Sequence, residues 1–200
     1  MTRYDLLVRK VRAEFPELAI VPRKGTWLGL FFGLMTKLTG ANYDHMVTTI
    51  GSTIYVGDSW ANRTDDGKYK TLRHELIHIR QFHGWPFGYH WPRINHALFS
   101  IFYLLVLPAL WTYRARFERE AYTQTLLVDR ELHGPISDLD MELNAEAMVL
   151  RFTGPQYLWM SRRQKTYRWA METQRKINLG TIENPIDQVG DSEVMVNLPA

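Results

Sequence analysis

The residues best spaced for chemistry in this chain are two histidines four positions apart, in the run His74-Glu75-Leu76-Ile77-His78. On a helix such a pair lies on one face, so both imidazoles can turn a nitrogen toward one point. Zinc takes imidazole nitrogen at about 2.0–2.1 Å, and two such ligands with a third leave a coordination position for water. Glu75, beside the first histidine, is placed to take a proton from that water as it attacks a carbonyl. The chain holds no cysteine, which excludes disulfides and thiolate ligation. A metal here must be held by nitrogen and oxygen.

Two histidines hold zinc poorly without a third protein ligand. A metzincin-like arrangement would require Gly at 81 and His at 84, but Gln81 and Gly84 stand there, so that class is excluded. The remaining common solution is a glutamate on a later helix. The run Arg116-Phe117-Glu118-Arg119-Glu120-Ala121-Tyr122 offers two, Glu118 and Glu120. Being two residues apart they face different sides of a helix, so both cannot reach one metal.

With this run following His74-Glu75-x-x-His78, the sequence resembles gluzincin-type metallopeptidases, in which HExxH is followed by a helix bearing Glu-x-x-Ala-Asp or Glu-x-x-x-Asp. It is similar to small, poorly characterised bacterial and phage proteins of that kind from about Thr48 to Tyr122, including the segments Thr48–Tyr55 and His78-Ile79-Arg80-Gln81. The resemblance implies His74, His78 and Glu118 as zinc ligands and Glu75 as general base in peptide-bond hydrolysis, with a peptide or protein as substrate. It also implies that the small Ala121 lets the second helix approach the first. Tyr122 stands where the family's Asp would orient a metal-bound histidine; a phenol could take that hydrogen bond or simply pack. A non-catalytic zinc protein, in which the site folds the chain, is the alternative.

The elements that must position these residues follow from periodicity. Tyr4, Leu7, Val8, Val11 and Phe15 predict an amphipathic helix that stops before Pro16. Leu18–Val21 reads as a short strand. Trp27–Leu38 is strongly apolar, too short to span a bilayer, and is expected as a buried helix ending at Gly40. Val47–Ile50 and Thr53–Val56 are β-branched and aromatic runs around Gly51-Ser52, a hairpin signal. Its strand edge, beside the metal helix, could hold an extended peptide by β-addition. A polar loop over Asp58–Lys68 leads into the histidine helix, expected from about Tyr69 to Phe82 or His83. Further helices are expected over Arg114–Leu132, from a Ser137-x-x-Asp140 capping box through Leu150, and over Gln156–Ile177. These elements predict an α+β fold, mainly α, with a small antiparallel sheet beside the histidine helix and a second, Glu-bearing helix, and the resemblance implies that it is zincin-like. One domain is expected over residues 1–178, with an extended tail over 179–200.

The 200 residues carry a formal charge of +3, a mild surplus that demands no nucleic acid, and none is expected as partner. The basic residues between Arg162 and Lys176 read as a solvated helix face. Met1–Lys10 has no apolar run, so no secretory signal and a cytoplasmic location are expected. Ile94–Tyr113 is uncharged for twenty residues. A single membrane crossing there would part the histidines from Glu118, so a buried helix interrupted near Pro108 is expected instead. Membrane-surface contact through this segment and Trp27–Leu38 is the alternative. Tyr157 is a candidate oxyanion stabiliser, against plain core packing. His83, His90, His96 and His133 read as ordinary core or surface histidines.

Overall fold

The computed structural model describes residues 1–40, 43, 45–84, 111–154, 161–182 and 184. Helix α1, Arg3–Glu14, opens on a reciprocal cap in which the Thr2 hydroxyl accepts from the Asp5 N–H at 3.2 Å and the Asp5 carboxylate accepts from the Thr2 N–H at 3.0 Å. Its buried Leu7 and Val11 face the core. Strand β1, Ala19–Pro22, is followed by α2, Trp27–Thr39, and then by strands β2, Thr48–Ile50, and β3, Thr53–Val56. The turn between β2 and β3 puts Gly51 at φ 62°, the left-handed region that favours glycine.

The three strands form one sheet in the order β1-β3-β2. The hairpin pairs antiparallel, with Thr48 opposite Tyr55 and Ile50 opposite Thr53. The expectation of an antiparallel sheet fails at β1, which runs parallel to β3 with Ala19 opposite Thr53. The chain from β1 to β3 passes through α2 and β2, long enough for the crossover that a parallel pair requires. Among the described residues β2 is a sheet edge.

A short 3-10 turn, Asp58–Trp60, leads to α3, Asp65–His83, which carries the histidines. It starts four residues before the expected Tyr69. The Thr64 hydroxyl caps it by accepting from the Gly67 N–H at 3.1 Å, and Asp65 and Asp66 complement the positive end of the helix. The end of the polar stretch that suggests a loop, residues 65–68, is thus the first turn of the helix. Leu72, Leu76, Ile79 and Phe82 are buried along α3, which packs against α1, β2 and the next described helix, α4, Trp111–His133.

Helix α4 serves two cores. Ala121 and Val128 join the core formed by α1, the sheet and α3. Tyr122, Leu126 and Leu127 join a second with α5, Asp138–Phe152, and α6, Arg163–Asn178. Ser137 caps α5 as the sequence suggests, its hydroxyl accepting from the Asp140 N–H at 3.1 Å. Helix α6 begins at Arg163 rather than Gln156, because Arg162 has extended backbone at φ −81°, ψ 141°. The fold is mainly helical α+β.

Helix α2 departs most from expectation. Gly40 ends it as predicted, in the left-handed conformation at φ 68°, and the Thr26 hydroxyl caps its start. It is not a buried helix: Leu28 is fully buried, whereas Trp27, Leu30, Phe31, Leu34 and Leu38 are 40–78 % exposed. Its large apolar side chains spread over more than half of the helix circumference, and only part of that arc faces the core.

No helix among the described residues is long and apolar enough to cross a membrane. The aromatic loop at 85–92, the uncharged segment at 94–113 except its last three residues, residues 155–160 with Tyr157, His90, His96 and most of the expected tail lie outside the described residues.

Candidate metal centre

The site is made by one face of α3 meeting one face of α4. His74 and His78 lie one turn apart with ring centroids 5.2 Å from each other. The Nε2 of each is 3.8 Å from the same oxygen, Oε2 of Glu118, and Glu118 is buried. One ligand atom from each of the three residues falls within 4.8 Å of the others, so the group could hold a metal ion. Bonds of about 2.1 Å in a tetrahedron imply ligand–ligand separations of about 3.4 Å, within a few tenths of the 3.8 Å here. Two imidazole nitrogens and one carboxylate oxygen are a donor set that suits zinc. Ala121, one turn after Glu118 and fully buried, lets the two helices approach.

The hydrogen bonds behind the rings determine which nitrogen faces Glu118. His74 Nδ1 lies 3.0 Å from the Thr125 hydroxyl, which itself donates to the Ala121 carbonyl at 3.3 Å. With its own proton committed there, the hydroxyl accepts from Nδ1–H, and Nε2 keeps its lone pair for the site. His78 Nδ1 is 2.9 Å from Gln81 Oε1. The Gln81 amide nitrogen donates to the Phe117 carbonyl at 3.2 Å and to Glu120 Oε2 at 2.9 Å, so the amide oxygen must be the atom facing the ring. His78 therefore also donates from Nδ1 and presents Nε2.

Glu120, the rival ligand, points away. Besides Gln81 it accepts from Arg116 Nε at 3.3 Å, and its side chain is 46 % exposed. Its part in the site is indirect, holding the glutamine that holds His78. Tyr122 packs its ring edge-to-face on His74, with centroids 4.8 Å apart and planes at 78°, while its hydroxyl accepts from Arg151 at 3.2 Å. Thr125 takes the ring hydrogen bond instead. The sequence reading missed Thr125 and Gln81 in these roles, although Thr125 lies two turns beyond Glu118 on the same face of α4.

Glu75 is buried, and its Oε2 accepts from the Thr49 hydroxyl on β2 at 2.7 Å. Burial raises the Glu75 pKa above the usual carboxylate value, and the charge of Glu118 adds to this. His78, the Thr49 hydrogen bond and Arg63 oppose it. Burial holds the His74 pKa well below the ordinary imidazole value, helped by His78 and Arg151, so the ring is neutral and able to ligate near pH 7. A cleft of about 480 Å³ opens beside His74 and Glu75, with Met46 and Val47 on one wall and Arg63 and Arg151 among its cations. His83, on the Ser52 hydroxyl at 2.9 Å, and His133, on the Asp129 carbonyl at 3.1 Å, hydrogen-bond outside the three-residue group.

No protein-family model, curated protein or solved structure matches the chain.

Proposed function

We propose that this protein is a zinc-dependent metallopeptidase of gluzincin type, with a zincin-like fold and His74, His78 and Glu118 as metal ligands. The observation that carries the reading is the convergence of two Nε2 atoms, each 3.8 Å from one Glu118 oxygen, with both Nδ1 atoms committed to other partners. When bound, zinc would supply a polarised water and a Lewis acid for the scissile carbonyl.

The chain's own groups do the rest. Glu75 has one carboxylate oxygen held by Thr49, which steadies the side chain, and the other takes the proton of the attacking water and returns it to the departing amine. Its raised pKa makes it a stronger base than an exposed glutamate. The edge strand β2 continues from the cleft wall at Met46 and Val47, so an extended peptide can pair along it with its carbonyl near Glu75.

Substituting Glu75→Gln keeps shape and hydrogen bonding but removes the base. The variant should bind zinc like the wild type and hydrolyse peptides at least about a hundredfold more slowly. Equal turnover would remove Glu75 from the mechanism. The ligands also bridge α3 and α4, which favours one alternative, a zinc that staples the two helices without turnover. In that case chelation should unfold much of the chain, whereas a catalytic site should lose activity and keep its helices.

A further inference from the structure

Helix α2 has an outer face made of large apolar side chains. At about 100° per residue, Trp27, Leu30, Phe31, Leu34 and Leu38 fall within an arc of about 100°. All five are exposed, Leu30 to 78 % and Leu38 to 72 %. The neighbouring side, through Leu28 with the half-buried Phe32 and Met35, seats the helix on the protein. The stripe is therefore an outward face of a helix that is already docked.

We propose that α2 lies in the headgroup region of an anionic lipid bilayer. Charge supports that occupant. From Arg23 to Tyr43 the chain has no acidic residue, and the exposed Lys24 and Lys37 stand at the two ends of the stripe, where anionic headgroups would meet them. Trp27, at one end, is a residue type that prefers the boundary between headgroups and acyl chains. Thirteen residues make a helix about 20 Å long, too short to cross a hydrocarbon core of about 30 Å, so it must lie in the surface plane. Self-association fits less well, because one helical stripe of five side chains falls far short of the 20–30 residues a side that a stable interface uses, as a rough norm.

The helix is fixed firmly enough to carry orientation. A Cβ at Gly29 would meet the Arg23 carbonyl at 2.6 Å, so α2 starts hard against the preceding turn. Arg23 is buried and donates to the carbonyls of Tyr43, at 3.0 Å, and Met46, at 3.2 Å. Met46 is a wall of the cleft beside Glu75. Lipid contact through α2 would thus hold that cleft close to the bilayer. The binding proposal stands whether or not the cleft hydrolyses peptides.

The test is co-sedimentation of the full chain with phosphatidylcholine vesicles, with and without phosphatidylglycerol, at low and high salt. The wild type should pellet with the anionic vesicles. The double variant Leu30→Asp, Leu34→Asp should lose about tenfold or more in partition while keeping its circular dichroism. Lys24→Glu with Lys37→Glu, which leaves the apolar contacts intact, should weaken binding only to the anionic vesicles. Because the chain has no cysteine, Leu34→Cys can carry an environment-sensitive dye without competing labels, and Leu143→Cys on α5 serves as control. The dye at position 34 should shift to shorter wavelength on adding anionic vesicles, and the dye at 143 should not. Equal binding of wild type and double variant, no binding by the wild type, or equal shifts at both positions would overturn the proposal. So would a dye at 34 that already reports an apolar setting without lipid, or a lipid-independent dimer that the double variant dissociates.

Discussion

Replacing Thr125 by Val is the sharpest probe of how the histidines are held. The side chains have nearly the same shape, so the change removes a hydroxyl and little else. His74 Nδ1 then loses the acceptor 3.0 Å away, in a site where the His74 side chain is only 13 % exposed. Removing a hydrogen-bond partner that orients a metal-bound histidine typically costs 10–100-fold in metal affinity, roughly 1.4–2.7 kcal/mol. The expected loss for Thr125→Val is about tenfold or more. Tyr122→Phe is the matched control. It keeps the edge-to-face ring contact and removes only the hydroxyl that accepts from Arg151, so zinc affinity should change less than about twofold. Competition for zinc against a chromophoric chelator measures both variants, and circular dichroism confirms that each is folded. A Thr125→Val affinity equal to wild type, with a tenfold loss in Tyr122→Phe, would refute the assignment and return the orienting role to the phenol.

Other expectations follow from the same geometry. Gln81→Leu should weaken zinc about tenfold through His78, and Glu120→Ala, one bond further out, by less; the same competition assay ranks them. Thr49→Val releases the Glu75 carboxylate and should lower kcat by about 10–100-fold with KM little changed, by loss of a charge-assisted hydrogen bond of roughly 1.5–3 kcal/mol. Leu76→Ala, at a fully buried core position, should cost about 2–5 kcal/mol in urea denaturation without altering the ligands. In the chelated protein, His74 is neutral when folded and protonates below its ordinary value of 6.5 when unfolded. The unfolded chain then binds the extra proton, so stability should fall as pH drops from 7 to 5, by up to about 1.4 kcal/mol per pH unit from this residue. His74→Phe should flatten that slope in denaturant titrations across the window.

The parts of the site that depend on a single element were readable from the chain. His74 and His78 share a face because four residues make about one turn, and Glu118 precedes the small Ala121 that allows close helix approach. The hairpin was readable because β-branched runs flank Gly51-Ser52. Contacts between elements were less accessible. Thr125, Gln81 and Thr49 are ordinary residues until the rotation of α4 against α3 and the position of β2 are known. Their types occur on surfaces far more often than behind a metal ligand. The parallel placement of β1 depends on a crossover that no local pattern encodes. Helix α2 misled for another reason: a helix whose apolar arc exceeds half its circumference carries no record of which part of that arc is buried, and high hydrophobicity alone suggested burial on all sides.

On the proposed assignment His74, His78 and Glu118 hold a metal and Glu120 does not. Metal analysis of the purified wild type, Glu118→Ala and Glu120→Ala proteins, each dialysed against the same zinc buffer, tests it most directly. Wild type and Glu120→Ala should retain stoichiometric zinc, and Glu118→Ala should lose it while staying folded. Zinc kept by Glu118→Ala and lost by Glu120→Ala, or absent from all three, would contradict the assignment.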